Sequence, residues 1–156
     1  MHEPHVLTEK RGRLGLVTLN RPQALNALDR GMALAIRTAL KAWAADDAIQ
    51  AVAIRGEGRA FCAGGDVRAL ADGVRRLGAG AAVFLADEYR LNATIAAYPK
   101  PFVALCQGYV MGGGAGLSVH GKYRLADATL AFAMPETAIG FVPDIGAVYL
   151  FPRCPG

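Results

Sequence analysis

The chain is poor in the usual nucleophiles and metal ligands. Its one serine, Ser118, sits in no G-x-S-x-G elbow, which removes the ordinary serine-hydrolase arrangement. The three cysteines, Cys62, Cys106 and Cys154, are odd in number and show no C-x-x-C spacing. Reduced thiols in an intracellular protein are therefore the simplest reading. His2, His5 and His120 have no metal-binding spacing, so no metal site is expected. Cys62 and His120 form the one thiol–base pair to consider; a small buried Cys and a helix-end His explain them more simply.

Long apolar runs are lacking too. A membrane span needs ~18 residues without charge. The nearest approach, "PFVALCQGYVMGGGAGLSVHG", is broken by glycines, so no membrane partner is expected. The opening "MHEPHVLTEKRGR" lacks the apolar centre of a secretory signal, and Glu3 and Glu9 suit a transit peptide poorly. The expectation is cytoplasmic. The net charge is +4 with scattered Lys and Arg, a pattern that predicts no nucleic-acid partner, although a few of these residues are available for an anionic cofactor.

What is present is core-forming. Hydrophobic residues make up 53% of 156 and charged residues 19%, enough for one domain over 1–156. "LGLVTLN" (14–20) reads as a strand, and "RPQALNALD" as a turn. Asp29 reads as the N-cap of a helix whose Met32, Ile36, Ala39, Leu40 and Trp43 recur at helical spacing. "AVAIRG" (51–56) and "PFVALCQG" (101–108) read as buried strands. "VRALADGVRRL" reads as a helix broken by "GAG", and 81–98 as a long helix stopped by Pro99. A further helix starts in "GGAGLSVHG", and 123–133 reads as short strands around a turn at Asp127.

One unit occurs twice: a buried strand, a glycine-containing loop, then "AGGD" or "MGGG", then a helix. Strand–helix alternation predicts an α/β domain with parallel strands. The chain stops at "LFPRCPG" straight after an apolar run, which raises the expectation of an incomplete domain.

Glycine loops that open helices present free backbone N–H groups and a partial positive charge, and so bind anions. Two such loops can each give one N–H to the same oxygen, which is the requirement of an oxyanion hole. Phosphate motifs fit less well. "GLSVHGKY" has Tyr123 where a P-loop needs Ser or Thr, and "GEGRAF" lacks the last Gly of a dinucleotide fingerprint.

Carboxylates remain. Asp66 follows "AGG" as a candidate helix cap, and Glu88 lies on the long helix in "DEYRLN", where Asp87 and Arg90 allow a solvated face. Glu136 and Asp144 each follow a proline in apolar surroundings. A straight strand would set them ~26 Å apart. Pro143 and Gly140 allow the chain to fold back, so that both acids face one cavity.

"RAFCAGGDVRAL", "KPFVALCQGYVMGGGAGLSVHG" and "FAMPETAIGFVPDIG", in that order and with "EYRLN…YPKP" between them, resemble the crotonase (enoyl-CoA hydratase/isomerase) superfamily. The closer likeness is to its 3-hydroxyisobutyryl-CoA hydrolase branch, over nearly the whole chain. The resemblance implies a spiral of ββα repeats that binds an acyl-CoA thioester, with the C-terminal helical part missing here. It implies a homo-oligomer, trimeric or related, and no permanently bound cofactor, coenzyme A entering as part of the substrate. It places the two oxyanion-hole amides on Gly65 and Gly113. Ala63, Gly64, Asp66, Arg68 and Gly112 fall on or beside the acyl-CoA channel.

Hydratases of this family use two glutamates; the first would fall on Gly116 and is absent, and the second is Glu136. The hydrolase branch implies Glu136 as nucleophile or base, Asp144 as its companion and Glu88 as a further substrate contact. Two other readings stand beside it. One is an enoyl-CoA isomerase that uses Glu136 as a proton shuttle; the other is an inactive acyl-CoA-binding piece.

Overall fold

The computed structural model describes residues 3–68, 71 and 80–154. The chain opens with a hairpin. β1 (Val6–Arg11) pairs antiparallel with β2 (Leu14–Leu19) across a turn in which Gly12 takes a positive φ of 60°. β1 is not among the strands expected from the sequence. Its residues after Val6 are exposed, so it carries no apolar alternation to read.

From β2 onward the chain winds as a spiral. β2, β3 (Ala51–Gly56), β5 (Phe102–Cys106) and β7 (Tyr123–Ala126) run parallel in the larger sheet, in the order β1-β2-β3-β5-β7. After β3, β5 and β7 the chain crosses to a smaller parallel sheet, β4 (Ala60–Cys62), β6 (Tyr109–Met111) and β8 (Ala131–Ala133). The two expected strand–loop–helix units are thus joined by a third. β7 and β8 are successive strands of different sheets, and the turn at Asp127 is the crossing between them. The parallel α/β arrangement and the ββα spiral agree with the expected fold class.

The helices form where the sequence pattern places them. α1 (Arg30–Ala44) starts at Asp29, whose carboxylate accepts the Met32 amide at 2.8 Å, and it buries Met32, Ala33, Ile36, Leu40 and Trp43. These side chains join Val17, Leu19, Val52, Ile54 and Phe102 in the main core. α2 (Gly80–Ala96) packs against α1. The contact is tied by Arg30 Nε to Asp87 at 2.7 Å and by the Tyr98 hydroxyl donating to the Leu40 carbonyl at 3.0 Å. α3 (Gly113–Val119) follows β6 directly. Of the helix expected over 67–77, only Val67, Arg68 and Ala71 are described, and all three are helical; the rest lies outside the described residues.

Among the described residues, β7 and β8 end their sheets, each with one neighbour. Leu125 on β7 and, further along the chain, Ile139, Val142, Val148 and Tyr149 are each more than 60% exposed. No described helix is long and apolar enough to cross a membrane.

Candidate active site

The Gly65 loop is held by a backbone ladder. Leu28 N–H donates to Gly64 O at 2.7 Å, Asp66 N–H to Leu28 O at 2.8 Å, and Ala63 N–H to Leu25 O at 3.0 Å. Buried Asn26 fixes the ladder from behind. Its amide donates to Glu57 O and Ala60 O at 2.9 and 2.8 Å, and its oxygen accepts the Arg21 amide at 2.8 Å. All the polar atoms of this buried side chain are therefore satisfied. The Gly113 loop is set by β6, and Gly112 N–H donates to Ala133 O at 3.2 Å. Leu28–Gly65 and β4–β6 are neighbouring parallel pairs, so the two glycine loops emerge side by side. Neither the Gly65 nor the Gly113 amide donates to another described residue.

The two loops open on a cleft of ≈ 460 Å³. Ala63, Gly64, Gly65, Gly112 and Gly113 form one side; Glu88, Glu136 and Asp144 also line it. Apolar walls come from Phe84, Leu85, Ile139 and Phe141, none of which the sequence singled out as site residues. A mostly apolar concavity with few convergent polar groups is the usual form of a small-molecule site.

The fold-back between Glu136 and Asp144 occurs. Glu136 starts a 3-10 turn (Glu136–Ile139), and Gly140 closes it in the left-handed conformation at φ 75°. Phe141 N–H then bonds back to Glu136 O at 3.0 Å. His120 donates from Nε2 to Ile145 O at 2.8 Å and holds the far end of the loop.

The acids are unusually placed. Glu88 is buried rather than on a solvated face, at 3% exposure, and so is Glu136 at 9%. Oε1 of Glu88 and Oε2 of Glu136 are buried with no hydrogen-bond partner among the described residues. Leaving such groups unpaired is costly and marks a place to look for chemistry. Burial pushes the Glu88 carboxyl up to about 8, and the charges of Asp144 and Glu136 add to this. Glu136 is raised as well, first by burial and then by Asp144. The two buried glutamates of the cleft are thus both held above the ordinary carboxylate range.

Close packing explains the glycines. A methyl group on Gly112 would lie 2.7 Å from Glu136 Oε1, and one on Gly113 would overlap Glu88 Oε1. Gly116, where a hydratase would carry its first acid, is buried against Asn92 and Ile145. Even a methyl there would stand 3.0 Å from both amide atoms of Asn92.

The remaining candidates lie elsewhere. Asp66 and Arg68 are not among the described residues that line the cleft. The Asp66 carboxylate pairs with Arg21 at 2.7 Å, and Arg68 is exposed. Cys62 and His120 do not form a pair. Cys62 is fully buried, its thiol donates to Gly64 O at 3.6 Å, and burial pushes it up to about 12. Among the described residues, no cluster of His, Cys, Asp and Glu could hold a metal.

Comparison with known proteins bears on the family and the fold. The model of the enoyl-CoA hydratase/isomerase family matches residues 14–156. The chain is 51% identical to the mitochondrial 3-hydroxyisobutyryl-CoA hydrolase of Danio rerio, covering 97% of this chain and 40% of that protein. It is 48% identical to the Homo sapiens enzyme of the same name, covering 97% and 39%. Those names place the relatives in mitochondria and lend the cytoplasmic expectation no support. Among solved structures, a carnitinyl-CoA dehydratase from Mycobacterium thermoresistibile superposes with a TM-score of 0.93 at 47% identity, over 99% of this chain and 46% of that one. The chain therefore spans about two fifths of the curated relatives' length. By its sequence and its spiral fold, it belongs to the crotonase (enoyl-CoA hydratase/isomerase) family.

Proposed function

We propose that this protein hydrolyses a short β-hydroxyacyl-CoA thioester, of the 3-hydroxyisobutyryl-CoA type, to the free acid and CoA. The observation that carries the reading is the pairing of two unengaged amides, Gly65 and Gly113, with buried carboxylate oxygens that have no partner among the described residues, on Glu136 and Glu88. The thioester oxygen accepts from both amides, which stabilise the charge it gains as the carbonyl carbon becomes tetrahedral; each donor is worth ~10²–10³ in rate.

Glu136 supplies the attack by one of two routes. As a base it takes a proton from water while the water oxygen bonds to the carbonyl carbon. As a nucleophile its own oxygen bonds to that carbon, and water later hydrolyses the resulting anhydride. In both routes the C–S bond breaks and the CoA sulfur leaves as thiolate or, once protonated, as thiol. Glu88, held protonated near neutral pH by its burial, gives that proton. Asp144 binds the β-hydroxyl. The lack of room at Gly116 counts against the two-glutamate hydration route.

The same reading takes residues 1–156 as one crotonase-like core with no permanently bound cofactor. It assigns a homo-oligomer, trimeric or related, in which exposed apolar side chains such as Val148 and Tyr149 are covered. The test is release of free thiol from 3-hydroxyisobutyryl-CoA. Glu136→Gln should bind the CoA ester and release no CoA; normal turnover in that variant would sink the proposal. A 3-enoyl-CoA assayed in parallel separates the isomerase reading, because isomerisation liberates no thiol.

A further inference from the structure

Asp144 is the one carboxylate of the three that a side-chain donor engages, among the described residues. The Tyr89 hydroxyl donates to Asp144 Oδ2 at 2.7 Å, across 55 positions of sequence. Tyr89 follows Glu88 on α2, but the two side chains diverge: Glu88 is buried in the cleft, and Tyr89 is 41% exposed. Tyr89 lines a second hollow instead, with Asn92, His120 and Ile145. Asp144 borders both spaces. Tyr89 therefore reaches Asp144 from the side away from the cleft.

The backbone around Asp144 is already fixed. Its carbonyl accepts the Ala147 amide at 2.8 Å, and the next residue, Ile145, is held by His120 with φ at 51°. What remains free is rotation of the carboxylate, and the phenol bond removes it. An ionised carboxylate is an acceptor only. With Oδ2 engaged from behind, Oδ1 remains for a hydroxyl donor in the cleft.

We propose that Tyr89 is a positioning residue that holds the Asp144 carboxylate as an acceptor and so makes the cleft select acyl groups bearing a β-hydroxyl. The inference rests on the proposed β-hydroxyacyl substrate for the identity of that donor. It does not depend on turnover.

The experiment compares two hydrolysis-resistant CoA thioethers, one with a β-hydroxyl and one without, by titration calorimetry. The wild type should bind the hydroxylated compound more tightly. Tyr89→Phe should weaken that compound about tenfold, the size of one modest hydrogen bond, and leave the other unchanged. The unchanged affinity also reports that the variant is folded. Asp144→Ala should lose the same preference, and adding Tyr89→Phe to it should change nothing further. The proposal is overturned if Tyr89→Phe weakens both compounds alike or neither, or if the wild type does not discriminate. Failure of the wild type to release thiol from 3-hydroxyisobutyryl-CoA, with the binding preference intact, would overturn the hydrolase reading alone.

Discussion

Glu88 stands so close over Gly113 that one methyl group on the glycine would overlap Oε1 of the carboxylate. The residue that presents an amide and the residue that presents an acid are thus packed into each other. Gly113→Ala should push Glu88 aside and turn the amide with it. Thiol release should fall by at least ~10²-fold, the value of one misplaced oxyanion donor. Steady-state assay of the purified variant checks this, and a substitution with near-normal turnover would separate Gly113 from the chemistry.

Glu88 also sets a pH dependence of stability. Its carboxyl lies at about 8 in the folded protein against 4.5 for an ordinary glutamate. Between those values the folded state holds a proton that the unfolded chain has released. The stability that this proton contributes is complete below pH 4.5 and is lost as pH rises towards 8. Glu136 is shifted in the same direction and adds to the trend. Glu88→Gln should therefore gain in urea midpoint over the wild type as pH is raised from about 4 to about 9, a window that brackets both values. A difference that is flat with pH would contradict the assignment.

Gly116→Glu tests whether a hydratase acid can be restored. Gly116 packs against Asn92 and Ile145, so the larger side chain should cost ~1–3 kcal/mol through overpacking. No hydration of a 2-enoyl-CoA should appear. Thermal denaturation and an absorbance assay for loss of the conjugated double bond read the two outcomes.

The thiols give an independent check of burial. Cys62 is fully buried and pushed up to about 12, whereas Cys154 is exposed. Iodoacetamide at pH 8 should alkylate Cys154, spare Cys62 and leave thioester hydrolysis intact. Peptide mass mapping locates the label; modification of Cys62 with loss of activity would revive a thiol mechanism.

The Asp29 cap is the simplest stability test. Its carboxylate accepts the Met32 amide at 2.8 Å and also meets His5 Nδ1 at 2.9 Å. Asp29→Ala should cost ~1 kcal/mol, visible as a lower urea midpoint with an unchanged slope.

Local chemistry explains how much of this could be read beforehand. Asp29 and the Met32–Ile36–Leu40–Trp43 stripe specify α1 by capping and period, and the helix forms there. Glycines ahead of helices marked both loops of the cleft. β1 escaped because its residues after Val6 face outward, so no apolar face records it. The third turn of the spiral was visible as two short strands. Their membership of separate sheets depends on β5 and β6, to which they pair, and no local pattern carries that. The fold-back at Gly140 was legible because left-handed backbone favours glycine. The Tyr89–Asp144 bond was not, since a tyrosine beside an acid on a helix carries no signal of a partner 55 residues away.

The smaller sheet has one further consequence. Gly65 and Gly113 leave the ends of β4 and β6, which are parallel neighbours. Such neighbours stand about 4.8 Å apart. Two N–H groups on that spacing can both lie ~2.9 Å from a single oxygen between them. The gauge of the two amides is therefore set by loops that leave neighbouring strands of one sheet, close enough that a methyl group on Gly113 would stand 3.3 Å from the Gly65 nitrogen. The segment carrying Glu136 and Asp144 can diverge, and with it the acyl group accepted, while that gauge stays constant.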